Sequence, residues 1–298
     1  MELFLARVLD GLANGSIYAA LALAVVLIFR STGTINLAQG EMAMFTTFLA
    51  WKIASPSGGL GLPVVVALLI AMTAGFLGGA VIERVIIRPV EGKESHLPMI
   101  IVTLGLFLAI DAVAGQVFTL NTVSLASPFP AGGVTTGGVL IQWSTVGILL
   151  TLLVVSILMW YLFQHTRVGL AMRASVDNAE SALLVGVRRG RLLMLGWGLA
   201  AALGSLAGVL VAPVTLVQVP MLQSVLLYGF AAATLGGFES PLGAIVGGLL
   251  MGLAESLVSG YVGFIGNELS LFTALLMIVA VLLVKPTGLF GRADLRRL

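Results

Sequence analysis

The chain of 298 residues contains no cysteine, so disulfides and thiolate metal sites are excluded. Its two histidines, His96 and His165, stand alone and make no metal site. Charge is scarce: 9% of residues are Asp, Glu, Lys or Arg, against about 25% in a soluble domain. The Gly-Lys pair Gly92-Lys93 is followed by Glu94, so no Gly-x-x-x-x-Gly-Lys-Ser/Thr loop exists to bind ATP in the P-loop way. No nucleophile–base–orienter set is apparent, and the chain does not read as an enzyme or as needing a cofactor. The start, with Glu2, Arg7 and Asp10, lacks a small-residue cleavage site after a short apolar core. The first apolar run therefore reads as a retained span.

What the chain has is apolar length. Hydrophobic residues make up 59% and the mean hydropathy is +1.13. The net charge of +2 is spread over short loops between apolar runs, which argues against a nucleic-acid partner. The pattern predicts an all-α, polytopic transmembrane bundle forming a single domain over 1–298. About 20 apolar residues cross the hydrocarbon core. Gly11–Phe29, Leu62–Ile82, Leu97–Phe118, Ser144–Phe163 and Leu192–Ala212 meet that length. Met42–Trp51 crosses only if Ile35–Glu41 is included. Ser224–Phe238 and Ser240–Ala254 are short, and Leu269–Val284 is the last run. The total is about eight or nine crossings, depending on whether the short pair is re-entrant. With Arg173 inside and nine crossings, thirteen of the fifteen Lys and Arg residues fall inside, leaving Arg7 and Lys52 outside. That asymmetry places the N-terminus out and the C-terminus in. The stretch 119–143 is rich in Gly, Pro, Ser and Thr, with no Lys or Arg. It reads as an outer loop with a hairpin around Gly132-Gly133 and Gly137-Gly138.

The longest charged interval, 165–191, lies between two full spans and holds five Arg, two carboxylates and His165. Its Arg excess places it in the cytoplasm. Within it Asp177 can cap a helix start, Glu180 can reach back as in a capping box, and Gly186 can stop the helix in a left-handed conformation. Ala179, Leu183 and Gly186 share a small apolar face. Read alone, the interval is equally a simple connecting hairpin.

Two polar interruptions fall one in each half: Asn36-Leu37-Ala38-Gln39-Gly40-Glu41, and Gly236-Gly237-Phe238-Glu239-Ser240-Pro241. Broken helices at membrane depth offer backbone groups and helix ends to a substrate. A carboxylate there costs roughly 2.5–3.5 kcal/mol on insertion scales and faces protein or a water-filled cavity. Glu41, Asp111, Glu239 and Glu255 are the candidates. The plainer alternative is that they satisfy neighbouring groups. Glu83 with Arg84 and Arg88 reads as a solvated ion pair at a cytoplasmic helix end. The pairs Gly75/Gly79, Gly204/Gly208, Gly243/Gly247 and Gly248/Gly252 have the small-xxx-small spacing that lets helix backbones approach closely.

Several of these segments resemble a known family. They are the run from Gly11-Leu12-Ala13-Asn14-Gly15 to Leu23, Ile35–Glu41, Gly186-Val187, Gly236-Gly237, Gly243-Ala244 and the ending Lys285-Pro286-Thr287-Gly288-Leu289-Phe290-Gly291. Together they resemble the LivH-type permease of branched-chain amino acid ABC importers along nearly the whole chain. Gln39 departs from the family, which commonly has His before the Gly-Glu pair. The resemblance implies a coupling helix with the motif Glu-Ala-Ala, three residues, Gly, here Glu180-Ser181-Ala182 and Gly186 with Ser for the middle Ala. On that basis Asp177, Ala179, Glu180, Ser181, Ala182, Leu183 and Gly186 dock on an ATPase. Asn14, Asn36, Gln39, Gly40, Glu41, Gly236, Gly237 and Glu239 are the candidate substrate pathway. The implied partners are two ABC ATPase subunits (LivG/LivF-like), a second permease (LivM-like) and a periplasmic substrate-binding protein. The implied location is the inner membrane, and leucine, isoleucine and valine are the favoured substrates over other amino acids, amides or urea. An ion-coupled carrier working alone, with Glu41 and Asp111 as ion sites, is the rival reading, and a non-transporting scaffold is a third.

Overall fold

In a computed structural model, residues 2–56, 59–90, 97–136, 138–177, 182, 184, 186–262 and 269–291 are described. Helices dominate because uncharged runs leave backbone groups no partner in lipid but one another. They are α1 (Glu2–Thr32), α2 (Gln39–Ala54), α3 (Val64–Ile82) with a π-helical extension Glu83–Ile87, and α4 (Leu97–Val117). After a hairpin come α5 (Trp143–His165), α6 (Arg167–Asp177), α7 (Arg189–Thr215), α8 (Gln223–Gly236), α9 (Pro241–Tyr261) and α10 (Ser270–Val284). Among the described residues six helices are long and apolar enough to cross a membrane: α1, α3 with its extension, α4, α5, α7 and α9. The best apolar windows of α4 and α5 are only 22% and 17% buried. Their exposed faces carry Leu104, Leu108, Leu153, Val154, Ile157 and Leu158, a surface suited to lipid.

Two boundaries differ from expectation. Residues 35–38 stay outside α2, since the Asn36 side chain turns the backbone there. The run expected to end at Ala254 continues to Tyr261 with Glu255 inside the helix. Ser240 caps α9 through the Gly243 N–H at 2.9 Å, and Pro241 takes its first position, where its missing N–H costs nothing. The expected hairpin is present as β1 (Gly133–Thr136) antiparallel to β2 (Val139–Gln142), with Gly133 opposite Gln142.

By contacts the chain divides into two compact units. The first holds 1–26, 129–149 and 224–298. In it α1 lies on α9 almost backbone to backbone. A Cβ on Gly11 would meet the Gly252 carbonyl at 2.9 Å, and one on Gly15 the Gly248 carbonyl at 2.8 Å. Gly247 turns instead to the backbone of Ala232 and Gly236 in α8. The two glycine pairs of α9 thus serve two neighbours. The second unit holds 27–128 and 150–223. There α7 is gripped on two sides. Gly75 and Gly79 of α3 seat against Ala201 and Trp197, while Gly204 and Gly208 seat against Gln39, Ala43 and Thr47 of α2. Val123 and Val217 exchange both backbone hydrogen bonds, at 2.9 and 2.8 Å, and pin the segment after α4 to the one after α7.

Candidate functional site

The first polar interruption belongs to the second unit. Gly33, at φ +71°, ends α1. Asn36 Oδ1 accepts from the Ala38 N–H at 3.0 Å, an Asx turn that diverts the chain before α2. Asn36 Nδ2 donates to Gln39 Oε1 at 3.4 Å, and Gln39 Nε2 donates to the Ala200 carbonyl of α7 at 2.9 Å. Gly204 makes room for that amide, since a Cβ there would lie 2.8 Å from Gln39 Nε2. Asn36, Gln39, Gly40 and Glu41 are all buried.

Their chemistry differs. Asn36 and Gln39 direct their hydrogen bonds to the protein. The side chains of Gln223 and Asp111 lie near the Glu41 carboxyl. Its Oε2 is buried without a partner, as is Asp111 Oδ1. A buried carboxylate oxygen left so is costly, which makes it the group in this interruption with binding capacity to spare.

The second interruption belongs to the first unit and is packed by the chain's own ending. Leu289 N–H donates to the Leu235 carbonyl at 2.8 Å and Phe290 N–H to the Gly236 carbonyl at 3.0 Å. These bonds satisfy carbonyls that the end of α8 leaves free. Gly237, at φ +97°, would place a Cβ 2.8 Å from the Thr287 carbonyl. Gly236 and Gly237 thus seat the ending Lys285–Gly291, and Glu239 is exposed.

Asn14 joins another group of the first unit. Its side chain lies near Glu255, which accepts from the Tyr18 hydroxyl at 3.3 Å. Tyr18 stacks on Tyr228 with ring centroids 4.7 Å apart, and Tyr228 donates to Ser270 Oγ at 3.0 Å. Sequence reasoning named Glu255 but missed both tyrosines. The available signal was that Asn14 and Tyr18, four apart, share a face of α1.

In the interval 165–191 the helix signals are redistributed. Thr166 is the cap that forms: its Oγ1 accepts from the Gly169 N–H at 3.1 Å and opens α6. Asp177, expected to cap the helix that leads to Gly186, is the last residue of α6, and the residues it would cap lie outside the described ones. Ala179, Glu180, Ser181 and Leu183 lie outside the described residues. Ala182 is buried and Leu184 is 89% exposed. Gly186 takes φ +86° and the Val187 N–H donates to the Ala182 carbonyl at 3.0 Å, the bond of a left-handed helix stop. An exposed leucine beside such a stop suits contact with another protein, and Leu184 was not among the expected contact residues.

The expected ion pair at the end of α3 is not a solvated one. Glu83 is fully buried. Arg88 grips it with Nε to Oε1 at 3.2 Å and an amino group to Oε2 at 2.7 Å. The same amino group reaches the Gly190 carbonyl. Arg84 takes no part in this ion pair.

Comparison with known proteins places this geometry in context. Residues 7–282 match the family described as branched-chain amino acid transport system / permease component. The high-affinity branched-chain amino acid transport permease LivH of Escherichia coli is 28% identical, over 99% of this chain and 97% of its own length. BraD of Pseudomonas aeruginosa is also 28% identical, over 99% and 98%. A probable LivH of Methanocaldococcus jannaschii is 26% identical, over 95% and 92%.

Proposed function

The chain belongs to the family of branched-chain amino acid transport permease components, and from that premise we propose that it is the membrane-spanning subunit of an ATP-driven amino-acid importer. The observation that carries the reading is the match over 7–282 in a chain that has no phosphate-binding loop. Energy must then enter from a separate protein.

Two ATPase subunits dock on 177–186 and on the equivalent element of a second, LivM-like permease. A soluble periplasmic protein delivers the substrate at the outer face, to which the stretch 119–143 belongs. The chain resides in the inner membrane with its N-terminus out, its C-terminus in, and about eight or nine crossings. Binding and hydrolysis of ATP favour two access states in turn, and the permease need only prefer them differently. Leucine, isoleucine and valine are the substrates. The interruption Asn36–Glu41 lines their path, and Glu41 is its most reactive member.

The test is reconstitution. The chain, its partner permease and the ATPases in proteoliposomes, given the binding protein, should accumulate leucine only with ATP inside the cytoplasmic compartment. Uptake by the chain alone, driven by a sodium or proton gradient, would replace this reading with an ion-coupled carrier.

A further inference from the structure

Phe118 stacks on Phe48 with ring centroids 5.4 Å apart. Asp111 lies seven residues before Phe118, and Glu41 seven before Phe48. The charge of Asp111 acts on Glu41. The two pairs share one offset, so α2 and α4 run in the same direction and in register. Seven residues are about two helical turns, or about 10 Å along the axis. The carboxylates therefore form one layer between these helices and the phenylalanines form another.

Glu41 is 2% exposed. Its Oε2 and Asp111 Oδ1 both lack a hydrogen-bond partner. Among the described residues neither carboxylate forms an ion pair with Lys, Arg or His. Two acidic groups facing each other repel, and burial costs Glu41 its hydration. Such an arrangement is stabilised by a positively charged group brought between them. The Gln223 side chain lies beside the Glu41 carboxyl.

We propose that Glu41 and Asp111 together receive the ammonium group of the transported amino acid, a reading that rests on the import role proposed above. The chemistry of the layer selects this ligand. A primary ammonium is compact and presents three donors and no acceptor. Hydrogen bonds from it to carboxylate are the strong, charge-assisted kind. No group of three or more His, Cys, Asp or Glu that could hold a metal ion gathers among the described residues. Phe45, which meets Phe118 edge-on at 5.2 Å, extends the aromatic layer. It offers an aliphatic side chain an apolar wall about one turn from the Glu41 carboxyl. Asp111 thereby gains a role in recognition equal to that of Glu41.

The experiment uses the assembled transporter in lipid nanodiscs, labelled with dicyclohexylcarbodiimide and read by peptide mass spectrometry. The probe 3-methylbutan-1-amine carries the ammonium and the branched chain. The probe 4-methylpentanoate carries the same chain and no ammonium. The amine should slow modification of Glu41 and Asp111, and the acid should not. In parallel, Glu41→Gln and Asp111→Asn transporters that elute as intact assemblies should need at least about tenfold more leucine for half-maximal uptake, the loss expected for a charged hydrogen bond. Equal protection by the acid, or by sodium chloride alone, overturns the proposal, and so does an unchanged half-saturation in both variants. If wild-type transporter carries leucine while these tests fail, the ammonium site falls and the import role stands. If it carries no amino acid while the amine still protects, the import role falls and the cation site stands.

Discussion

The guanidinium of Arg88 bonds the carbonyl of Gly190, 102 residues further along the chain, at 2.6 Å. One side chain therefore ties the π-helical end of α3 to the first turn of α7. Gly190 lies near the end of the interval 165–191, which carries the left-handed stop at Gly186. A push on that interval would reach α3 through Arg88 and through the Gly75 and Gly79 seam. Both links are short and involve backbone atoms.

Truncating this clamp should be costly. Arg88→Ala leaves the Glu83 carboxylate buried and unpaired, a loss of about 3–5 kcal/mol. The unfolding midpoint of the detergent-solubilised protein, followed by size-exclusion fluorescence, should fall. Adding Glu83→Gln should recover part of the loss, because the neutral amide is less penalised by burial. Arg88→Lys should lie between, since an ammonium cannot reproduce the two-pronged grip. Midpoints equal to wild type in all three variants would show the clamp to be without consequence.

The glycine seam between α1 and α9 makes a separate expectation. A side chain at Gly248 would collide with the backbone of Ala19. Gly248→Val should therefore reduce the folded yield sharply, because neither backbone can retreat without parting the helices. Gly105 has nothing within 4 Å of an added Cβ. Gly105→Ala should leave folded yield unchanged or improve it, given the helix preference of about 1 kcal/mol for Ala over Gly. Equal yields for the two variants would remove the seam from the account.

Much of this architecture can be read from residue order alone. The spans are legible because twenty apolar residues have few other uses, and the hairpin because Gly pairs bracket it. The stop at Gly186 is legible because few other residues accept its φ. The misses have physical causes. The helix α6, which opens at a Thr166 cap and ends at Asp177, was not foreseen, because its only start signal is a lone Thr beside basic residues. The burial of Glu83 was hidden because Arg88 is five residues away, off the α-helical face. The π-turn, with Arg88 N–H donating to the Glu83 carbonyl at 2.7 Å, brings it round. Tyr18 and Glu255 are 237 positions apart, and local pattern carries no information about such a pair.

Gly186 should divide folding from coupling. Its added Cβ would meet open space, so a substitution acts through the backbone and the docking surface, not through packing. A non-glycine residue at a left-handed position costs about 1–2 kcal/mol. Gly186→Asn, which tolerates that conformation, should keep ATP-driven leucine uptake. Gly186→Arg should abolish uptake while membrane insertion and assembly of the bundle persist. Normal uptake by the Arg variant would argue that 177–186 does not meet the ATPase.

Gln39 offers the most discriminating substitution in the first interruption. Its amide has two tasks: it donates to the Ala200 carbonyl and it accepts from Asn36. A neutral imidazole also has one donor and one acceptor, on opposite sides of the ring. Gln39→His can therefore perform both tasks within the recess over Gly204, and the fold should be nearly unaffected. Gln39→Leu fills similar space but performs neither. It leaves Asn36 Nδ2 with only its 3.6 Å contact to Met42 Sδ, a weak acceptor. The expected cost is about 1–3 kcal/mol for a buried donor left short. Thermal unfolding should place the His variant near wild type and the Leu variant well below it. If leucine uptake also survives in the His variant and fails in a folded fraction of the Leu variant, the Asn36–Gln39 pair positions Glu41 rather than touching substrate. If both variants unfold like wild type, the hydrogen bond to Ala200 contributes nothing and the interruption is held by the α2–α7 glycine contacts alone.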